Sequence, residues 1–289
     1  MAWTTTRDPG AYEAAAGEFL RGRPAEHTVL LSVVSALREL GRDRYGDDAP
    51  SFGWWRRGGG AVGAAFVWTP PRTVLLSPMP EGAAAELARA LAQDPGGIPG
   101  VNGARAAAEA FAAAWQERRG GTVRLAKRHR RYRLGELTPP DPAPPGAARP
   151  ATPADRDLLL AWSTAFAAET GGPPPRDARA VDDRIAGGRC MLWEAGGRPV
   201  AMAGVTPTLC GTARVAPVYT PPELRGRGFA GAATAAVSGA ARDAGAHEVL
   251  LFADLANPTS NALYQRLGYR PAEEHVVLEF GTRGLADAP

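Results

Sequence analysis

The chain has 289 residues, 45% of them hydrophobic, which is enough for two average domains with a core each. No run approaches the ~18 uninterrupted apolar residues of a membrane span, and residues 1–9 lack a signal pattern, so no membrane partner is expected and the cytoplasm is the default location. A net charge of +3 implies no nucleic-acid partner, Lys127 is the only lysine among 33 basic residues, and His27, His129, His247 and His275 show no metal-ligand spacing.

In chain order, residues 52–65 predict an aromatic strand, a turn around Gly58-Gly59-Gly60 and a small-residue strand. Residues 73–82 predict a further strand, and residues 83–92 a helix that starts without any Arg-Gly-x-Gly turn. The densest basic run, residues 124–133, reads as a solvated edge strand whose charges block edge-to-edge pairing, in preference to a nucleic-acid patch. Residues 138–146 hold five prolines and predict a polyproline spacer. The expected division is a first domain over 1–137, a linker over 138–150 and a second domain over 151–289.

The second domain begins with Thr152 as a cap for a helix that buries Leu158, Leu159, Trp162 and Phe166. Strands over 190–194 and 199–205 follow, joined by a hairpin turn at Gly196-Gly197. Cys190 and Cys210 fall in two predicted strands of one sheet and read as small core residues. Val218, Tyr219 and Thr220 form the next strand. Pro217 within it means either a bulge or unpaired edge, or a strand that starts only after it.

Pro221 and Pro222 end that strand, and a small-residue helix runs from Gly231. Between them lies Arg225-Gly226-Arg227-Gly228-Phe229-Ala230. The glycines clear side chains from the helix start, so its unpaired N–H groups, the helix dipole and the two guanidiniums can converge on one anion. The spacing fits neither a dinucleotide fingerprint nor a Walker loop.

Residues 249–252 predict a buried strand. Asn257 then caps a helix of about ten residues, with Pro258 at its first position and Gly268 closing it. Leu263 and Leu267 face the core, while Asn257, Asn261 and Tyr264 form a separate polar stripe at i, i+4 and i+7. A last strand is expected over 275–280.

The loop of Arg225 to Ala230 resembles the Arg/Gln-x-x-Gly-x-Gly/Ala signature of the GNAT (GCN5-related N-acetyltransferase) family. The segment with Asn257, Asn261 and Leu263-Tyr264 before Leu267-Gly268-Tyr269 is similar to that family's later motif. The resemblance implies an α/β fold of mixed sheet, with two GNAT-like domains. Each has a mostly antiparallel central sheet with a splayed pair of strands and flanking helices. The first half, lacking the glycine and arginine turn, reads as a degenerate repeat.

The resemblance further implies acetyl-coenzyme A as cosubstrate, no metal, and one site per chain. The pyrophosphate would lie on Arg225, Gly226, Arg227, Gly228, Phe229 and Ala230, and the pantetheine on Val218, Tyr219, Thr220, Asn257 and Asn261. Tyr264 would be the acid for the leaving thiolate, and a small-molecule amine the acceptor of a monomer or homodimer. Asp254, Glu194, Glu223 and His275 are open candidates for the base, and residues 169–175 would contribute to the acceptor pocket. The rival readings are an acyl-coenzyme A binding module without catalysis and a protein N-acetyltransferase.

Overall fold

The computed structural model describes residues 3–281 apart from Gly59 and Pro95. Gly59 of the expected first hairpin, Met1, Ala2 and residues 282–289 therefore lie outside the described residues. Two compact units are present: one holds the chain up to Arg130 together with the residues from Glu273 on, and the other holds Arg131–Ala272.

The first unit runs β1 (Trp3–Thr6), α1 (Pro9–Gly22), α2 (Thr28–Glu39), β2 (Ser51–Arg56), β3 (Val62–Trp68), β4 (Val74–Leu76), α3 (Glu81–Leu91), β5 (Gly100–Ala104), α4 (Arg105–Arg119) and the start of β6 (Thr122–Leu134). Helix α1 starts where local chemistry says it should. Asp8 accepts from the N–H groups of Gly10 and Ala11, and Pro9 takes the first helical position. One core cluster of this unit gathers Phe66, Leu87, Phe111 and Trp115 between the sheet and α3 and α4, and Tyr12, Leu30 and Phe52 form another beneath α1 and α2.

The second unit continues through β7 (Ala147–Pro150), α5 (Arg156–Thr170), α6 (Arg179–Ala186), β8 (Cys190–Ala195), β9 (Arg198–Val205), β10 (Thr212–Tyr219), α7 (Phe229–Asp243), β11 (Glu248–Asp254), α8 (Pro258–Arg266) and the start of β12 (Tyr269–Gly281). Its elements repeat the order of the first unit, and so do its pairings. In each, three antiparallel contacts are followed by one parallel one: β1–β2, β2–β3, β3–β4 and β4–β5 in the first, β7–β8, β8–β9, β9–β10 and β10–β11 in the second. The fold is thus mixed α/β, as the sequence implies. Helix α7 is built almost wholly of Ala, Gly, Ser and Thr, so it lies close on the sheet and buries nine residues against Val215, Val249 and Leu251.

Three sequence expectations are corrected. The last strand does not stay with the second domain: β12 begins in the second unit and ends in the first, where residues 275–279 pair antiparallel with β5. The basic run is not an edge. Strand β6 has β12 and β11 as its neighbours, and its charges are met there, Arg124 by Glu279, Arg128 by Glu274 at 2.8 Å and Arg133 by Glu248. The proline-rich segment is no spacer between units, since all of it lies within the second. Its final residues form β7, paired with β8, and the Trp193 indole N–H donates to the carbonyl of Pro145 at 2.9 Å.

Smaller differences have local causes. Helix α5 is preceded by a 3-10 turn with Thr152 and Asp155 as a capping box. Leu159 is buried, but Leu158, Trp162 and Phe166 are only half-buried. Cys210 lies outside any strand, exposed, in a turn with φ +51, while Cys190 is buried in β8.

Arg149 on β7 clasps this edge of the sheet. It donates to both oxygens of Asp155 at 2.8 Å and to Glu194 on β8 at 2.6 Å. The guanidinium, helped by the Thr152 N–H and hydroxyl, holds the Asp155 carboxyl well below the usual carboxylate range against the opposing effect of burial. A carboxyl depressed on folding contributes stability above its unfolded pKa of ~3.9 and loses it as the pH falls through the folded value. Replacing Asp155 with Asn is expected to cost about 2 kcal/mol at pH 7. In urea denaturation, the deficit relative to wild type should shrink as the pH drops below about 4.

Candidate functional site

The site is defined by two parallel strands that part. β10 and β11 are paired from Thr212 and Glu248 as far as Val215 and Leu251, and no further, although β10 continues to Tyr219 and β11 to Asp254. On its other side β10 stays with β9, but the register shifts between Val215 and Val218, so the strand is bulged there. Pro217 sits inside the bulge, which settles the alternatives left open by the sequence. Past Val215, the backbone edge of β10 that faces β11 has no ladder partner, and Val218 is half-buried while Tyr219 and Thr220 are buried. The Thr220 hydroxyl is itself buried and without a hydrogen-bond partner among the described residues.

The chain leaves β10 through a 3-10 turn (Pro222–Leu224) and reaches α7 through Arg225 to Gly228. Gly226 and Gly228 have φ of +76 and +83, a region that side chains disfavour, so glycine is required by the backbone. The first helical hydrogen bond runs from the Ala232 N–H to the Gly228 carbonyl. The N–H groups of residues 226–231 consequently take no acceptor from the described residues, and they carry the positive end of the α7 dipole. Phe229 is buried and anchors the first turn, with Ala230 half-buried beside it.

The two arginines do not join that cradle. Arg225 Nε donates to the Thr220 carbonyl at 2.9 Å, its Nη2 to both oxygens of Glu169 at 2.6 Å, and its guanidinium lies 5.8 Å over the Tyr219 ring. Arg227 is exposed and donates back to the Glu223 carbonyl at 3.3 Å. What the sequence reads as two charges converging on an anion is, in the structure, a set of backbone donors with the arginines folded back.

β11 leads into α8 at the other side of the opening. Asn257 caps α8, its side-chain oxygen accepting from the Ser260 N–H at 3.0 Å. Asn261 is occupied at both ends: its amide N–H groups donate to the carbonyls of Asp254 and Asn257 at 2.7 Å, and its oxygen accepts from the Tyr132 hydroxyl at 2.7 Å. The Asn261 side chain therefore fastens α8 to the end of β11. Leu267 is buried as expected, and Leu263 and Tyr264 are partly buried against the same core. Tyr264 meets Tyr269 edge-on at 6.1 Å, and burial pushes its phenol up to about 12. Its hydroxyl has no partner among the described residues, which leaves it available to a ligand.

Of the carboxylates considered as bases, Asp254 accepts from the Ala256 N–H at 2.8 Å, Glu194 is held by Arg149, and Glu223 is exposed on the 3-10 turn. His275 lies in the first unit, 3.1 Å from Glu273. Sequence reading missed Tyr132 as the partner of Asn261, because it sits inside the basic run. It also missed the proline-rich segment as a neighbour of α7: a Cβ at Gly228, Gly231 or Gly239 would lie 3.6, 3.5 and 3.7 Å from Pro144, Pro140 and Leu137. The closest approach at these glycines is from α8, since Leu263 Cδ1 would lie 2.9 Å from a Cβ at Gly231.

Among the described residues, the start of α3, the counterpart of α7, offers no comparable cradle. At the start of α3 the N–H groups of Ala83 and Ala84 both donate to the Pro80 carbonyl, and the Trp3 indole donates to the carbonyl of Ala83. Among the described residues, no group of three His, Cys, Asp or Glu side chains could hold a metal, and no helix is long and apolar enough to cross a membrane.

Residues 157–269, all within the second unit, match the model of the acetyltransferase (GNAT) family. Solved structures of the same fold span nearly the whole chain. An acetyltransferase of the GNAT family from Colwellia psychrerythraea is 12% identical with a TM-score of 0.61, over 98% of this chain and 100% of that one. A GCN5-related N-acetyltransferase from Sphaerobacter thermophilus is 18% identical with a TM-score of 0.61, over 99% and 98%. Another from Kribbella flavida is 20% identical with a TM-score of 0.54, over 78% and 89%. At these identities the likeness establishes the fold. No curated protein matches the sequence.

The bonding around α8 sets an order of stability. Asn261→Ala strips the Tyr132 hydroxyl of its partner and takes the second of two donors from the carbonyls of Asp254 and Asn257, which keep the backbone N–H groups of Asn257 and residue 261, and it is expected to cost about 2 kcal/mol. Asn257→Ala removes one cap bond at an exposed site and should cost about 1 kcal/mol. Urea denaturation of the two variants checks the ranking.

Proposed function

We propose that the chain is an acetyl-coenzyme A dependent N-acetyltransferase that acts on the amine of a small molecule, with one active site, in the second unit. The observation that carries this reading is the loss of the β10–β11 ladder beyond Val215 and Leu251, next to a run of six backbone N–H groups without acceptors. The free edge of β10 offers hydrogen bonds to an extended amide-bearing chain such as pantetheine, and the loop offers an anion site for a pyrophosphate. The residues present therefore fit coenzyme A.

When bound, acetyl-coenzyme A supplies the thioester whose carbonyl carbon a neutral amine attacks. A backbone N–H near Val218, on the edge of β10 released from β11, is the donor nearest to hand for polarising that carbonyl. Tyr264 lies on the opposite side of the opening and serves the leaving sulfur. A phenol near 12 is a weaker acid than a thiol near ~8.5, so its contribution is a hydrogen bond to the sulfur as charge develops, and the net proton comes from the attacking nitrogen. Asn257 and Asn261 contribute by fixing α8 and so the position of Tyr264, with only the Asn257 amide N–H groups left over for direct contact with the cofactor.

The first unit reads as a degenerate repeat of the same fold. Its element order and pairing senses support that, and the absence of an open N–H loop at α3 supports a single coenzyme site per chain.

Tyr264→Phe is expected to lower turnover ten-fold or more with coenzyme A affinity within two-fold, followed by thiol release across a panel of amines and amino acids and by calorimetry. Unchanged turnover would remove Tyr264 from the role. With the phenol at about 12, the wild-type rate should show no alkaline fall owing to Tyr264 below about pH 11. Tight coenzyme A binding with no transfer to any amine would favour a binding module instead.

A further inference from the structure

The Arg225 guanidinium is anchored at three points, none of them in the N–H cradle. Its partners are the Thr220 carbonyl at 2.9 Å, the Tyr219 ring at 5.8 Å and both carboxylate oxygens of Glu169 at 2.6 Å. We infer that Arg225 is a positioning residue, held by Glu169 at the end of α5, that sets the direction in which the loop presents its backbone N–H groups.

The geometry argues this in three steps. The side chain of Arg225 reaches back over the 3-10 turn to Thr220, so it closes the chain from 220 to 225 into a ring and fixes the direction in which Gly226 departs. The backbone bonds of the 3-10 turn and the Arg227 contact with the Glu223 carbonyl stay within residues 221–227, whereas Arg225 alone among these side chains ties the turn to α5, and at Gly226, with φ of +76, a Cβ would meet no atom within 4 Å. Finally, a guanidinium already facing a carboxylate has little net charge to offer an anion. The Glu169 contact supplies orientation instead, since a planar fork gripped by a carboxylate is restricted in both tilt and reach. The pair is exposed, 47% for Arg225 and 43% for Glu169, so it adds little to global stability and its loss leaves the fold intact.

This inference rests on the coenzyme A reading of the site, and the test separates the two. Glu169→Gln and Arg225→Ala are prepared in the full chain. Amide exchange is followed at residues 222–230 without ligand, and calorimetry gives affinities for coenzyme A and for pantetheine, which lacks the phosphates. In Glu169→Gln, exchange at residues 226–228 should quicken at least five-fold, and coenzyme A should bind about five-fold more weakly with pantetheine unchanged. Arg225→Ala should do the same more strongly.

Tighter coenzyme A binding by Glu169→Gln would overturn the inference, because a guanidinium released from its carboxylate and turned onto a phosphate gives that sign. Unchanged exchange, or an equal loss of pantetheine affinity, would overturn it as well. If the wild type binds no coenzyme A while the exchange rates respond as stated, the choice of ligand falls and the positioning role of Glu169 and Arg225 stands.

Discussion

Everything about the second unit turns on the point where two parallel strands stop bonding to each other. A parallel ladder ordinarily satisfies both edges of an interior strand, and leaving one edge open beside buried residues is costly unless something takes its place. Here β10 is released from β11 after Val215 by a bulge that carries Pro217, a residue with no N–H to contribute to either neighbour. The bulge keeps β10 on β9 and swings its end away from β11. Ligands of open α/β sheets settle at such points, beyond the carboxyl ends of strands from which the chain departs in different directions.

The elements on either side of the opening are fixed by different physics. Helix α7 can sit close on the sheet because most of its buried residues are Ala, Gly, Ser and Thr, and Gly231 leaves room for Leu263 of α8, whose Cδ1 would lie 2.9 Å from a Cβ there. Helix α8 buries fewer side chains and is held by hydrogen bonds instead, through the Asn257 cap and the Asn261 amide that joins α8, β11 and Tyr132. One wall is therefore set by close packing and the other by polar bonds, and Tyr264 is carried on the polar one with its ring against the core. Burial there raises its pKa and keeps it protonated across the working range of pH.

The local structure around the candidate site was legible in the sequence because its signals are local. The Asn257-Pro258 start, the Gly268 stop and the Gly196-Gly197 hairpin each follow from the chemistry of one or two residues. Properties that depend on distant partners were not legible. Nothing in residues 124–133 says that β12 and β11 will flank them, so charges that meet Glu279, Glu274 and Glu248 read as a solvated edge. The prolines of 138–146 do exclude helix and sheet there, but composition cannot tell a free spacer from a strap laid on a glycine-lined helix. The same limit explains Arg225. Its motif places it beside an anion site, whereas its actual partner, Glu169, lies 56 residues away.

The central claim is that the parted ends of β10 and β11 and the loop into α7 form a single coenzyme A site. Amide hydrogen exchange with and without coenzyme A tests it most directly. Slower exchange at residues 218–219 and 226–231, with no change at the start of α3 over residues 81–84, is the result predicted. Protection at residues 81–84, or none at 226–231 under saturating ligand, would contradict it.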